Sequence, residues 1–258
     1  MQLRSVELTV PKLEEAARFL ENLWGLAPAG DGHQFRGTGT HPAIITLDEG
    51  VPAIRSITFS GSAAEVRGRT EARGPDGAVY RFIADEAPVA ALSDPDKPIR
   101  VTHVVLNTPE REVCERFAVD ALGFTVSDRT RHMTFVRCNR KHHCIAYAGS
   151  ESASLNHVAF ELPSLEAVMR GIGRMRDAGF EPVWGPGRHG PGNNVFGYFI
   201  APWGGVIEYT AEIAEVGDDY KVGGPEDWQW PPGRIDHWGI SKKDTAKTGP
   251  AERLYRFR

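Results

Sequence analysis

One short phrase recurs along this chain and restricts its fold more than any other feature. Residues 103–109 read His-Val-Val-Leu-Asn-Thr-Pro, and residues 157–163 read His-Val-Ala-Phe-Glu-Leu-Pro. Residues 5–11 read Ser-Val-Glu-Leu-Thr-Val-Pro, and residues 56–62, Ser-Ile-Thr-Phe-Ser-Gly-Ser, are a fainter copy without the proline. Each is a short apolar run that reads as a strand. A segment with apolar residues at helical spacing follows each of the three clearer copies. It then meets a glycine, at Gly25, Gly123 or Gly179, where a helix is expected to end. Short alternating segments broken by Gly, Pro and Asp come next, as antiparallel strands require.

The repeated unit is therefore βαβββ, four times, at about 3–48, 53–86, 100–149 and 153–212. Units of this kind cannot bury their apolar face alone, so the copies must pack on one another. The second copy is too short for a full helix and predicts a truncated one. The expected class is α+β, with four βαβββ modules in two domains. Residues 1–90 form the first domain and 100–212 the second. A linker over 87–99 carries Pro88, Asp94, Pro95, Asp96 and Pro98. Residues 213–258 are a polar extension. Its Trp228, Trp230 and Trp238 argue for order, because disordered tails are poor in aromatics.

Aligning the copies isolates three residues. Where the third and fourth copies have His103 and His157, the first two have Ser5 and Ser56. The segment Pro202–Tyr209 ends on Glu208 and Tyr209, and its counterpart Pro75–Phe82 has Arg81 in the place of Glu208. Two imidazoles and one carboxylate from separate strands can cap one face of a divalent ion and leave the other face open. That is the ligand set of non-haem Fe(II) oxygenases. A cation at the carboxylate position could not hold the ion, so one metal site is expected, in the second half alone.

The composition excludes other classes. A net charge of -4 gives nucleic acid or an anionic membrane no purchase. No apolar run reaches the length of a membrane span, and the N-terminus runs directly into a strand pattern with no leader-like apolar stretch. Cys114, Cys138 and Cys144, without metal-type spacing, read as reduced thiols of a cytoplasmic protein.

Paired βαβββ units with His, His and Glu at equivalent strand positions resemble the vicinal oxygen chelate superfamily, whose fold is shared by glyoxalases, bleomycin-resistance proteins and dihydroxybiphenyl dioxygenases. Two domains with ligands only in the second are similar to the type I extradiol ring-cleaving dioxygenases, of the catechol 2,3-dioxygenase and 2,3-dihydroxybiphenyl 1,2-dioxygenase kind. The resemblance covers roughly residues 1–212 and is most specific over 101–210. It implies Fe(II), with Mn(II) as the alternative ion, held by His103, His157 and Glu208. It implies a catecholic small molecule and O2 as substrates, a ring-opened semialdehyde product and a homo-oligomer. His143, in the run Asn139–Tyr147, matches the family's acid–base histidine, with His142 its outward neighbour by strand alternation. Tyr198 matches the tyrosine that hydrogen-bonds the substrate oxygen. His189 matches the histidine at the mouth of the site, although Gly-Pro-Gly-Asn-Asn follows it here in place of a more polar stretch.

Two rival readings belong to the same fold. A glyoxalase-like lyase or isomerase commonly uses a fourth protein ligand and a redox-inert metal. A resistance-type protein binds an aromatic molecule without metal. Phe160, Val183, Trp184, Phe196 and Trp203 are the expected pocket aromatics and aliphatics, and the tail tryptophans are expected over the pocket mouth or against a neighbouring subunit.

Overall fold

A computed structural model describes residues 1–30, 33–84 and 86–258. The first copy supplies β1 (Gln2–Val10), α1 (Leu13–Phe19), β2 (Ala27–Pro28), β3 (Gln34–Arg36) and β4 (Ile45–Glu49). The second supplies β5 (Ala53–Gly61), α2 (Ala63–Val66), β6 (Glu71–Arg73) and β7 (Val79–Ala84). The third has β8 (Arg100–Thr108), α3 (Arg111–Asp120), β9 (Thr125–Arg129), β10 (Met133–Arg137) and β11 (Ile145–Gly149). The fourth has β12 (Ser154–Glu161), α4 (Leu165–Asp177), β13 (Trp184–Arg188), β14 (Val195–Ile200) and β15 (Val206–Ala211). The tail adds α5 (Thr245–Ala251) and β16 (Arg256–Phe257).

The strands form two sheets on one plan. The first runs β2-β3-β4-β1-β5-β7-β6, with β16 added beside β5, and the second runs β13-β14-β15-β12-β8-β11-β10-β9. In each, the opening strands of two copies pair antiparallel at the centre, β1 with β5 and β8 with β12. Each opening strand also pairs in parallel with the last strand of its own copy. A parallel return needs a crossover, and the intervening helix and hairpin supply it. The helix of the second copy is cut to one turn, as its length predicts. It starts in a capping box between Ser62 and Glu65 and ends at Arg67, whose φ is 55°.

One apolar core runs between the sheets. Its centre is Trp24, from the π-helical stretch Leu20–Trp24 that extends α1. The Trp24 ring stacks on Tyr209 at 3.6 Å and 7°, and it meets Phe160 and Phe199 edge-on. The Tyr209 hydroxyl donates to the Trp24 carbonyl at 2.8 Å. Helix α4 lays Val168, Gly171, Ile172 and Met175 on the same core. Gly171 is needed there because a Cβ would sit 3.0 Å from the Tyr209 ring. Phe160 and Trp203 are therefore core residues and not pocket residues. Phe160 lies on the face of β12 opposite His157, and Trp203 packs edge-on against Phe19 at 5.6 Å.

The tail returns to the sheets. The Glu252 carbonyl accepts from Asn107 Nδ2 and Ser154 Oγ, and the Leu155 amide donates to the Tyr255 carbonyl. Among the described residues no helix is long and apolar enough to cross a membrane, and the three cysteines are free.

Because Trp24 is fully buried and joins the two halves, Trp24→Ala is expected to lower the unfolding free energy by about 3–5 kcal/mol. Urea denaturation followed by circular dichroism checks this, and a loss under about 1 kcal/mol would show that the two halves do not share a core.

Candidate metal centre

Strand register brings the three ligand candidates together. Across the centre of the second sheet Ala159 pairs with His103, and Ala159 also pairs with Glu208 on β15. Alternation then turns His103, His157 and Glu208 to one face. Their ligand atoms all lie within 4.8 Å of one another, and all three side chains are buried. Glu208 Oε2 is 3.1 Å from His103 Nε2 and 3.2 Å from His157 Nε2.

The donor set suits a divalent cation. His157 Nδ1 donates to Asn156 Oδ1 at 2.7 Å, which leaves Nε2 as a lone-pair donor towards the centre. Glu208 Oε1 receives a long bond from Asn194 Nδ2 at 3.4 Å. Burial alone would push the Glu208 carboxyl up, but His103 and His157 outweigh it and hold the group well below the ordinary carboxylate value. Burial also keeps His157 below its ordinary value, against the pull of Glu208. A fully buried carboxylate and two buried imidazoles gathered in one small space form a donor set that a cation would complete.

The same register identifies the fourth place around the centre. Glu208 sits opposite the residue two after His157. Two after His103 is Val105, and its partner on β11 is Ala146. A methyl group thus stands where a fourth ligand would come from, packed with Val105 and Phe135. In the first sheet the equivalent places are Ser5, Thr46, Ser56 and Arg81. They line a cavity of about 270 Å³ in which Arg81 Nη1 pairs with Glu7 Oε2 at 2.7 Å. Among the described residues, the only group of His, Cys, Asp or Glu placed to hold a metal ion is His103, His157 and Glu208, so this cup shows none.

The other sequence-predicted residues surround the centre. The His143 ring lies 4.4 Å from that of His103. Burial, reinforced by the imidazoles of His103 and His142, holds His143 well below its ordinary value and therefore neutral. The Tyr198 hydroxyl is 2.9 Å from His189 Nε2 and 3.5 Å from His157 Nε2. Burial and the Glu208 carboxylate keep that phenol protonated. His189 is pushed down to about 3, mainly by burial. Trp184 and Phe196 pack on His189 at 5.2 and 4.0 Å and join Val183 and Tyr198 in one cluster. The loop after His189 is covered by the tail. A Cβ at Gly190 would meet Trp230 at 2.4 Å and Trp228 at 3.3 Å, while Trp238 lies under the Arg188 guanidinium.

A further expectation fails. His142 does not face outward. It is 1% exposed, with Nε2 2.6 Å from Asp128 Oδ2 and Nδ1 2.9 Å from His143 Nδ1. Simple alternation breaks here because His142 and His143 lie in the bend before β11, not within a strand. Asp128, Asn156 and Asn194 also escape a reading of single residue types. Only Asn156, immediately before His157, carried a local signal.

Two outcomes follow from this geometry. Glu208→Gln and His157→Ala should each abolish stoichiometric Fe(II) or Mn(II) uptake, measured by metal analysis after anaerobic loading and desalting; full retention would place the ion elsewhere. The metal-free protein should also weaken in acid. An unfolded His189 protonates near its ordinary value of ~6.5 but the folded one only near about 3, so unfolding takes up protons between these values and stability falls as pH is lowered. Glu208, ionised when folded, adds a loss at lower pH. The thermal midpoint should drop between about pH 7 and about pH 5, and His189→Phe should flatten part of that drop.

Comparison with known proteins places the chain. The model of the Glyoxalase/Bleomycin resistance protein/Dioxygenase superfamily matches residues 100–209. Metapyrocatechase 2 of Cupriavidus necator is 35% identical over 139 residues, covering 53% of this chain and 41% of that protein. The chain thus spans about two fifths of the length of this curated relative. The 2,3-dioxygenase from Pseudomonas sp. KL28 shares the fold, with a TM-score of 0.77 at 20% identity over 88% of this chain and 98% of its own. The Mn(II)-bound glyoxalase from Novosphingobium aromaticivorans superposes with a TM-score of 0.83 at 30% identity, over 95% of this chain and 93% of its own. With that near-complete overlap added to the paired modules and the His-His-Glu cluster, the chain belongs to the Glyoxalase/Bleomycin resistance protein/Dioxygenase superfamily.

Proposed function

We propose that this protein is an extradiol dioxygenase that opens a substituted catechol ring with both atoms of O2, using Fe(II) held by His103, His157 and Glu208. In this reading residues 100–212 are the catalytic domain, residues 1–90 its metal-free counterpart and residues 213–258 a cover. The observation that carries it is the three-ligand set with Ala146 in the fourth place. Three protein ligands leave room for two catechol oxygens and O2, which a fourth carboxylate would obstruct. Bound Fe(II) would supply Lewis acidity to the catechol oxygens and a path for electrons from the ring to O2.

The chain's own groups have separate tasks. His143, neutral and beside His103, accepts a proton from a catechol hydroxyl and can return it to oxygen as the ring opens. Tyr198 keeps its proton and donates a hydrogen bond to a substrate oxygen. His189 orients the Tyr198 hydroxyl. Val105, Phe135 and Ala146 form an apolar wall beside His143, while Trp184 and Phe196 back His189 and Tyr198. Both favour a flat apolar ring. Mn(II) fits the same donors, and the Mn(II)-bound relative supports it as the alternative ion. The reduced cysteines agree with a cytoplasmic setting, and a homo-oligomer remains the expected assembly.

The name of that relative also raises a glyoxalase-type reading. A lyase of that kind calls for a fourth ligand, and the Ala146 methyl offers none. The relatives named 2,2',3-trihydroxybiphenyl dioxygenase and biphenyl-2,3-diol 1,2-dioxygenase 3 favour ring cleavage.

Protein loaded anaerobically with Fe(II), mixed with catechols and exposed to air should consume one O2 per ring and yield a yellow product. His143→Phe and Tyr198→Phe should keep the metal and lose about 10²–10⁴-fold and about 10-fold of kcat. Turnover of a 2-oxoaldehyde–thiol adduct without O2 would overturn the proposal in favour of a lyase. Tight aromatic binding by metal-free protein, with no turnover after loading, would overturn it in favour of a binding protein.

A further inference from the structure

Behind His143 lies a buried polar chain that no step above uses. Asp128, on β9, is fully buried. Its Oδ2 is 2.6 Å from His142 Nε2 and accepts from the Tyr220 hydroxyl at 3.0 Å. Its Oδ1 accepts from the Gly223 amide at 2.7 Å, and the Arg129 amide returns a bond to the Gly223 carbonyl. Two of the three groups on this carboxylate therefore come from the tail. The tail also grips the histidine pair through the backbone. The His142 amide donates to the Ala214 carbonyl, and the Ala214 amide donates to the Gly192 carbonyl. Gly192, at φ 80°, closes on both rings. A Cβ there would lie 3.0 Å from His143 Cε1 and 3.2 Å from His142 Nδ1.

Oδ1 of Asp128 takes the Gly223 N–H and Oδ2 the Tyr220 O–H, so both oxygens are arranged as acceptors and the hydrogen of the 2.6 Å contact belongs on His142 Nε2. With its single N–H committed to Asp128, His142 presents Nδ1 as an acceptor. The 2.9 Å contact between the two Nδ1 atoms then requires its hydrogen on His143. A neutral His143 with Nδ1–H has a bare lone pair on Nε2, the ring nitrogen turned away from His142. That is the tautomer a proton acceptor needs.

We propose that Asp128 is a positioning residue, which selects through His142 the tautomer of His143 with a free Nε2, and that the tail segment Tyr220–Gly223 holds Asp128 in that role. The inference rests on the reading of His143 as the acid–base group of ring cleavage, but its proton placement can be measured without turnover.

Metal-free, full-length protein labelled with ¹⁵N-histidine is the sample, and two-bond ¹H–¹⁵N spectra report the tautomer of each ring. In the wild-type protein His142 should be protonated at Nε2 and His143 at Nδ1. Asp128→Asn can turn its NH2 towards His142 Nε2, and both rings should then move to the opposite tautomer. In the iron-loaded protein Asp128→Asn should lower kcat by about 10²–10⁴-fold with KM within about threefold, and Asp128→Glu should recover part of the loss. Tyr220→Phe should keep the wild-type tautomers and cost several-fold in kcat. A wild-type His143 protonated at Nε2 overturns the inference whatever the variants do, including if Asp128→Asn fails to fold. So does an Asp128→Asn protein with unchanged tautomers. The expected tautomers in a protein that consumes no O2 with any catechol would uphold the proton placement and sink the ring-cleavage reading.

Discussion

The antiparallel pairing of β8 with β12 is the constraint on which the rest depends. It sets two copies of one strand side by side, so that residues at the same place in the repeat, His103 and His157, become neighbours. The parallel partner of β12 then delivers Glu208 opposite Ala159, with Oε2 3.1 and 3.2 Å from the two imidazoles. A shift of one residue in either pairing would turn a ligand into the opposite face, because side chains alternate with period two. Register therefore does what no single residue could, and the packing of the opposite face holds the register.

That opposite face is the aromatic core. Tyr209, next to Glu208, points away from the centre and stacks on Trp24 of the first copy. Phe160 follows the same logic on β12. The first half thereby braces the strand that bears the carboxylate. Its equivalent cup has spent the carboxylate position on Arg81 and pairs that charge with Glu7. One half keeps the donor set and the other supplies packing. The tail binds both, with β16 beside β5 of the first sheet and residues 214–223 around the histidine pair of the second.

The centre also shows how burial assigns protonation. Glu208 stays ionised because two imidazoles face it, while His143, His157 and His189 stay neutral because burial penalises their charge. Tyr198 keeps its proton for the same reason. A cation-ready donor set, a neutral imidazole and a protonated phenol thus stand in one small space, and the Ala146 methyl occupies the fourth place.

Much of this was readable from the residues alone. The four strand phrases, the glycines after the helices, the short second helix and the three ligand candidates are local patterns, repeated, and each repeat checks the others. His143, Tyr198 and His189 came with the family resemblance, and the structure brings all three to the centre. The pairing of His142 with Asp128 was not readable, because the partners lie on different strands and a tail more than 70 residues downstream completes the contact. Nor was the meaning of Ala146, which stands out only when parallel register sets it where Glu208 stands in the next copy. Phe160 and Trp203 were aromatic near the site in sequence, yet they face the core. Sequence determined which side chains exist at which repeat positions, since periodicity is written along one strand. Tertiary structure decided which of them meet, since that depends on the register between strands far apart in the chain and on where the tail folds back.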